Sequence, residues 1–300
     1  MCIRDRAGGD QDLHRADVTT ASAPASSANL GPGYDVLALA LDLRCRVTVA
    51  PADEWAVLSG GAPAEPGGVE LVRRSASAAS PESGPFRVEI QSEIPLARGL
   101  GSSAALIAAT VAAVAGLSGT APDRDRVFEA AAAVEGHPDN VAAAVHGGLV
   151  AVGADGRVRQ LPVDPSLQVL VAVPDTTLST PEARRATADP VSTGVASRTA
   201  ARLAFLVAGL RTADPDALAA AAGDELHESR RAHLSPVTGR LIDAAREAGA
   251  LHACWSGAGP SALALVTGEA APAVRQALEV TLEGGYVLSP DVDRTGLLIG

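Results

Sequence analysis

The run from Ser102 to Leu117 carries no charge and is built almost wholly from Ala, Leu, Ile and Val, and Gly99-Leu100-Gly101 leads into it. A chain entering such a run turns tightly at its glycines, which have no Cβ to obstruct the backbone, and then opens a helix. The start of a helix leaves N–H groups unpaired at the positive end of its dipole. The segment Pro95-Leu96-Ala97-Arg98-Gly99-Leu100-Gly101-Ser102-Ser103-Ala104-Ala105 is therefore a ready site for an anion, phosphate above all. The chain contains no lysine, and all 24 basic residues are arginine. That excludes the lysine-bearing P-loop. A phosphate held here depends on backbone amides, serine hydroxyls, arginine and a metal ion. Taken alone, the segment is explained equally well as a tight strand-to-helix turn capped by Ser102 or Ser103.

Three hundred residues suit one large or two modest domains. With two Trp, two Tyr and three Phe, the core has to be built from Ala, Val and Leu. A net charge of −11 argues against a nucleic-acid partner. It says little about small anions, because a few local arginines reverse the field. Cys2, Cys45 and Cys254 lack paired spacing, which fits a reduced, cytoplasmic setting without disulfides or a zinc site. No apolar run approaches the ~20 residues of a membrane span. Residues 1–16 are charged and read as a disordered or non-native leader.

Along the chain, Val18 to Ala28 reads as a poor strand followed by a loop. Val36 to Leu43 is apolar, Cys45 to Ala50 alternates as a strand, and residues 59–85 look like surface loops around a short helix. Helices are expected over Ser102–Leu117, Asp123–Val134 and Asn140–Val145. Strands are expected over Phe86–Ile90, Leu149–Val152 and Leu167–Val173. The loop between the last two is the expected boundary between lobes at 17–160 and 161–300. In the second half, Ala196–Leu210, Pro215–Leu226, Gly239–Ala248 and Pro272–Leu282 have helical periodicity, while Ala262–Val266 and Tyr286–Ser289 read as strands. Strands mixed with helices, without a strict βαβ rhythm, predict an α+β fold.

Four further constellations carry chemistry. Glu135-Gly136-His137-Pro138-Asp139-Asn140 reads as a junction between helices, Gly136 ending one and Asp139 capping the next. That leaves Glu135, His137 and Asn140 unexplained. Such a carboxylate suits Mg²⁺, and His and Asn suit a polar substrate. Asn29 and Asp35 flank the glycines and proline of Ser27-Ala28-Asn29-Leu30-Gly31-Pro32-Gly33-Tyr34-Asp35, a surface loop when considered alone. Gly257-Ala258-Gly259-Pro260-Ser261 is a turn before an apolar strand. Arg184 and Arg231 are candidates for clamping a carboxylate.

In this order, these segments resemble the GHMP small-molecule kinases, the family of galactokinase, homoserine kinase and mevalonate kinase. The resemblance rests on Pro95–Ala105, the Asn29 loop and the 257–261 glycine motif, and it spans residues 18 to 300. Within the family, the 27–35 and 135–140 segments are similar to homoserine kinases. The resemblance implies a two-lobed α+β fold, with a ribosomal-protein-S5-like N-terminal lobe and a ferredoxin-like C-terminal lobe. It implies ATP-dependent phosphorylation of the side-chain hydroxyl of L-homoserine, a step of threonine biosynthesis, and a possible homodimer. ATP phosphates would lie along Pro95–Ala105, and Ser103 (or Ser102) with Glu135 would hold Mg²⁺. Asn29, Asp35, His137, Asp139, Arg184 and Arg231 would line the substrate pocket, with Arg184 and Arg231 on the α-carboxylate and Asp35 on the α-ammonium. Asn140, Arg184 and His137 are the expected catalytic groups. Asp139, as a helix cap, is expected to have a depressed pKa and to point away, leaving catalysis to positioning rather than to a strong base. The family usually has a proline in the segment before Arg231, where this chain reads Glu228-Ser229-Arg230. Arg230 therefore competes with Arg231 for the substrate, and Arg231 is preferred. A kinase for another small alcohol, or a nucleotide-binding sensor, are the competing functions.

Overall fold

The computed structural model describes residues 18–81, 84–119, 122–187 and 189–300. The expected leader at 1–16 lies outside them. The first strand, β1 (Thr19–Ala28), is made of Ala, Ser, Thr and Pro, a composition with little intrinsic preference for a strand. It is nonetheless buried almost throughout. It pairs antiparallel along its length with β2 (Leu37–Pro51), with a register shift between Pro24 and Ala25. The expected poor strand is thus a full one, and β2 joins two expected segments into one. Packing overrides propensity here. The alanine-rich helix behind β1 comes so close that a Cβ on its Gly116 would lie 2.7 Å from Thr19 Cγ2.

β3 (Ala56–Ser59) leads into the stretch expected to be surface loops around a short helix, which holds β4 (Ala62–Pro63) and that helix, α1 (Pro66–Ala79), 14 residues long. Then come β5 (Phe86–Ser92), α2 (Ser102–Gly116), α3 (Arg124–Glu135) and α4 (Pro138–His146). β6 (Leu149–Val152) follows, then β7 (Val158–Leu161), which the sequence reading missed, and β8 (Gln168–Pro174). The second half contributes α5 (Thr180–Arg185), α6 (Thr193–Thr212) and α7 (Pro215–Ala220). α7 stops six residues short of the expected end at Leu226 and is followed by the single turn α8 (Glu228–Arg231). The chain closes with α9 (Pro236–Glu247), β9 (His252–Trp255), β10 (Ala262–Val266), α10 (Ala271–Thr281), β11 (Gly285–Leu288) and β12 (Leu298–Ile299).

These elements form two sheets. The first runs β12-β1-β2-β5-β3-β4, with β6 on β2 and β7 on β6. The second is a four-stranded antiparallel sheet, β11-β8-β10-β9. β12 pairs with β1, so the end of the chain sits on the first sheet. α2 is buried over most of its length, which follows from a surface that is apolar on every side. The second core packs Trp255 and the aliphatics of β8 and β10 against α9 and α10. Cys45 and Cys254 are buried free thiols; desolvation pushes Cys45 up to about 11 and Cys254 well above the ordinary thiol value. Among the described residues no helix is long and apolar enough to cross a membrane.

Candidate active site

The glycines around Leu100 set the geometry of the cleft. Ala97, Gly99 and Gly101 all have positive φ. Gly101, in the left-handed region, is the N-cap of α2, and no side chain caps this helix. The expected serine cap is therefore corrected: Ser102 and Ser103 are the first two helical residues, and their hydroxyls are free for other work. Ala105 is the first residue whose N–H reaches back, to Gly101 O at 3.0 Å. The N–H groups of Ser102, Ser103 and Ala104 precede it and have no intrahelical acceptor. The glycines also admit other parts of the protein. A Cβ on Gly99 would overlap Ser256 O and the Gly259 backbone, and one on Gly101 would overlap Ser26 Oγ. Ser256 Oγ donates to Gly99 O at 2.7 Å, and Ser26 N–H donates to Leu100 O at 3.1 Å. The 257–261 motif thus serves as the wall that the loop leans on.

A cleft opens where this loop meets the Asn29–Asp35 loop, the 135–140 junction, α5 and Arg231. Ala97 and Gly99 to Ser103 line it, whereas Pro95, Leu96, Arg98, Ala104 and Ala105 of the expected phosphate set do not. Arg98, the only cation of that set, turns away. Its guanidinium donates to Pro174 O at 2.8 Å and Asp175 O at 2.6 Å, tying the loop to the end of β8.

Asn29, Asp35, Glu135, His137, Asp139, Asn140, Arg184 and Arg231, the remaining expected residues, all line the cleft. Ser103 Oγ donates to Glu135 Oε2 at 2.6 Å, and burial raises the Glu135 carboxyl above its ordinary value. Asn140 accepts from Ser26 Oγ at 2.8 Å through its Oδ1. Arg184 clamps Asp35 through both terminal nitrogens, at 3.2 and 2.7 Å. Asn29 Oδ1 accepts the Asp35 N–H at 3.1 Å, and its amide donates to Gly257 O at 3.1 Å.

Asp139 departs from expectation on both counts. The N-cap of α4 is His137, not Asp139. The Asp139 carboxyl is buried in the cleft wall and accepts the Asn140 N–H at 2.7 Å, and desolvation pushes it up to about 6 rather than down. His137 is shifted the opposite way, lowered by burial and then by Arg184.

The choice between the two arginines is made by the single turn of α8. Arg230 is half-buried, lies outside the cleft lining and donates to Asp189 O and Pro190 O. Arg231 is 2% exposed, with Nε on Ala183 O at 3.1 Å, Nη1 on Gly257 O at 3.2 Å and its guanidinium 5.4 Å from the centre of the Tyr34 ring. Among the described residues no carboxylate forms an ion pair with Arg231. Burial lowers its pKa. A buried guanidinium without a counter-ion at a cleft wall is costly unless a ligand brings the negative charge.

Two family models match the chain: the GHMP kinases N terminal domain over residues 69–148 and the GHMP kinases C terminal over residues 206–282. The chain belongs to the GHMP kinase family. Its relatives include the homoserine kinase of Thermus thermophilus, 43% identical over 84% of this chain and 88% of that protein. The homoserine kinase of Deinococcus radiodurans is 41% identical over 81% and 83%. Among solved structures, the homoserine kinase of Cytophaga hutchinsonii superposes with a TM-score of 0.85, at 28% identity, over 98% of this chain and all of that one. The mevalonate diphosphate decarboxylase of Enterococcus faecalis, 18% identical with a TM-score of 0.73 over 95% and 99%, shares the fold.

In this GHMP kinase the cleft also holds residues that sequence reasoning passed over: Tyr34, Leu178, Thr180 and Ala258. Tyr34 and Ala258 lie inside segments singled out for their neighbours, so proximity to Asn29 and Gly257 was the available signal, while Leu178 and Thr180 lie outside those segments. Tyr34 lies under both arginines, 5.9 Å from Arg184 and 5.4 Å from Arg231, and its hydroxyl bonds Thr187 at 3.3 Å.

Proposed function

We propose that this GHMP kinase transfers the γ-phosphoryl group of ATP to the side-chain hydroxyl of L-homoserine, yielding O-phospho-L-homoserine. The observation that carries the reading is the buried Arg231 without a counter-ion, one wall away from a helix start bare of side-chain caps. A cleft with an anion site at one end and a carboxylate site at the other suits an amino-acid alcohol. It does not suit an uncharged sugar. The relatives named homoserine kinase support the same substrate.

Each end follows from its residues. The polyphosphate lies against the amides of Ser102, Ser103 and Ala104, which gain an anion without the need for a lysine. Arg231 and Arg184 face the α-carboxylate, and Asp35, already holding Arg184, faces the α-ammonium. The zwitterion thus meets a pair of its own opposite polarity. Asn140, whose Nδ2 donates to no protein group among the described residues, orients the hydroxyl. Ser103 and Glu135 supply two adjoining oxygens, a set that suits Mg²⁺ completed by phosphate and water. That ion would neutralise charge on the phosphates. Phosphoryl transfer has a loose transition state and requires alignment more than a strong base. Asp139, whose carboxyl is pushed up to about 6 by burial in the cleft wall, would take up the hydroxyl proton as the new bond forms.

The test is a panel of small alcohols with ATP and Mg²⁺, products identified by mass. O-phosphohomoserine as the dominant product is expected. Turnover of mevalonate or a sugar with none of homoserine would overturn the assignment, and ATP binding without transfer to any alcohol would indicate a sensor.

A further inference from the structure

Behind the substrate loop sits a histidine that the reaction does not use. Asn29, Leu30 and Gly31 hold three consecutive positive φ angles, a conformation unfavourable for the first two. Two buried imidazoles hold the carbonyls at this bend: His252 Nε2 lies 3.0 Å from Leu30 O and His227 Nε2 2.9 Å from Gly31 O. His227 does more. Its ring stacks on Tyr34 with centroids 5.0 Å apart, and its Nδ1 lies 3.2 Å from Arg231 Nη1. A carbonyl can only accept and a guanidinium can only donate, so Nε2 carries the hydrogen and Nδ1 is bare. Burial keeps the ring neutral, its pKa pushed down to about 4. Asp224 fixes the backbone beneath it, accepting the N–H groups of His227 at 2.6 Å and Glu228 at 2.9 Å.

We infer that His227 is a positioning residue for carboxylate recognition: as the Nε2–H tautomer it joins the Asn29–Asp35 loop to Arg231, so that the loop and the guanidinium meet the substrate in one register. The inference rests on Arg231 reading the substrate carboxylate. A histidine that merely filled space would affect stability and leave selectivity alone.

Two variants separate the two links. His227→Gln places an amide N–H where Nε2 stood and removes the acceptor for Arg231. His227→Asn keeps an acceptor near Nδ1 and loses Gly31. The readout is the ratio of kcat/KM for L-homoserine to that for 3-aminopropan-1-ol, which lacks the carboxylate. Wild type is expected to favour homoserine strongly. His227→Gln should lose at least about 10-fold of that preference, through the KM for homoserine, with the KM for ATP unchanged. His227→Asn should keep the preference within about 3-fold while raising KM for both alcohols. Wild-type preference retained in His227→Gln overturns the inference alone. A wild type that does not discriminate overturns the carboxylate role of Arg231, and the inference with it. If His227→Gln does not fold, the imidazole ¹⁵N shifts of the wild-type protein decide: a protonated Nε2 with a bare Nδ1 is expected, and a protonated Nδ1 overturns it.

Discussion

The two ends of the cleft are built from different materials. The end proposed to hold phosphate is backbone: positive-φ glycines, uncapped amides, and an arginine turned away onto carbonyls. The end proposed to hold the substrate is charged side chain, with Asp35, Arg184, Asp139 and Arg231 contributed by four separate segments and interlocked through Asn29, Tyr34 and His227. Backbone sites are fixed by what cannot be there, namely a Cβ. Side-chain sites are fixed by what must be there, a partner for each buried polar group. The first end therefore tolerates loss of side chains and not their gain, and the second end behaves the other way round.

The largest expected effect breaks the phosphate end by addition. Gly99→Ala puts a methyl group into Ser256 O and the Gly259 backbone at a positive φ. It should lower kcat/KM for ATP by more than about 100-fold and cost more than about 2 kcal/mol of stability by thermal unfolding. Next comes removal at the substrate end. Arg231→Met should raise the KM for homoserine by about 100-fold, with the KM for ATP within about 3-fold, measured in a coupled assay. Equal loss for both substrates would contradict the division of the cleft.

A third effect lies beneath the substrate end. Glu228 is buried, accepts the Trp255 N–H at 2.8 Å, and burial raises its carboxyl from 4.5 to about 7. The folded state therefore holds this proton more tightly than the unfolded chain. The contribution is full below pH 4.5 and is lost as pH rises through about 7. Glu228→Gln, which needs no proton, should remove this loss and gain on the order of 2–3 kcal/mol at pH 8 relative to pH 4.5. Unfolding free energies of the two proteins across that window check it. The smallest effect sharpens the contrast: Ser102→Ala keeps its amide, and the KM for ATP should stay within about 3-fold.

The same contrast explains what could be read in the chain. Gly99-Leu100-Gly101 announces itself because glycine pairs before an apolar run have few local explanations. The 29–35 and 135–140 segments were identifiable by their residue types. β1 was underestimated because its alanines and serines have no strand preference of their own; only the closeness of α2 demands them. Asp139 was misjudged because a helix cap is a local idea, whereas its burial is supplied by distant segments. His227 carried little signal, since of its partners only Arg231, four residues on, is local, and Gly31 and Tyr34 reach it only in the fold. The end of α7 at Ala220 was missed because the helical period continues into Asp224, whose carboxylate instead holds the next turn.

The most direct test of the whole account is a crystal structure with a non-hydrolysable ATP analogue and L-homoserine bound together. It should show the β- and γ-phosphates on the amides of Ser102 and Ser103, the carboxylate on Arg231, and the hydroxyl beside Asn140 in line with the γ-phosphorus. A triphosphate seated away from Gly99–Ser103, or an amino acid whose carboxylate avoids Arg231, would contradict it.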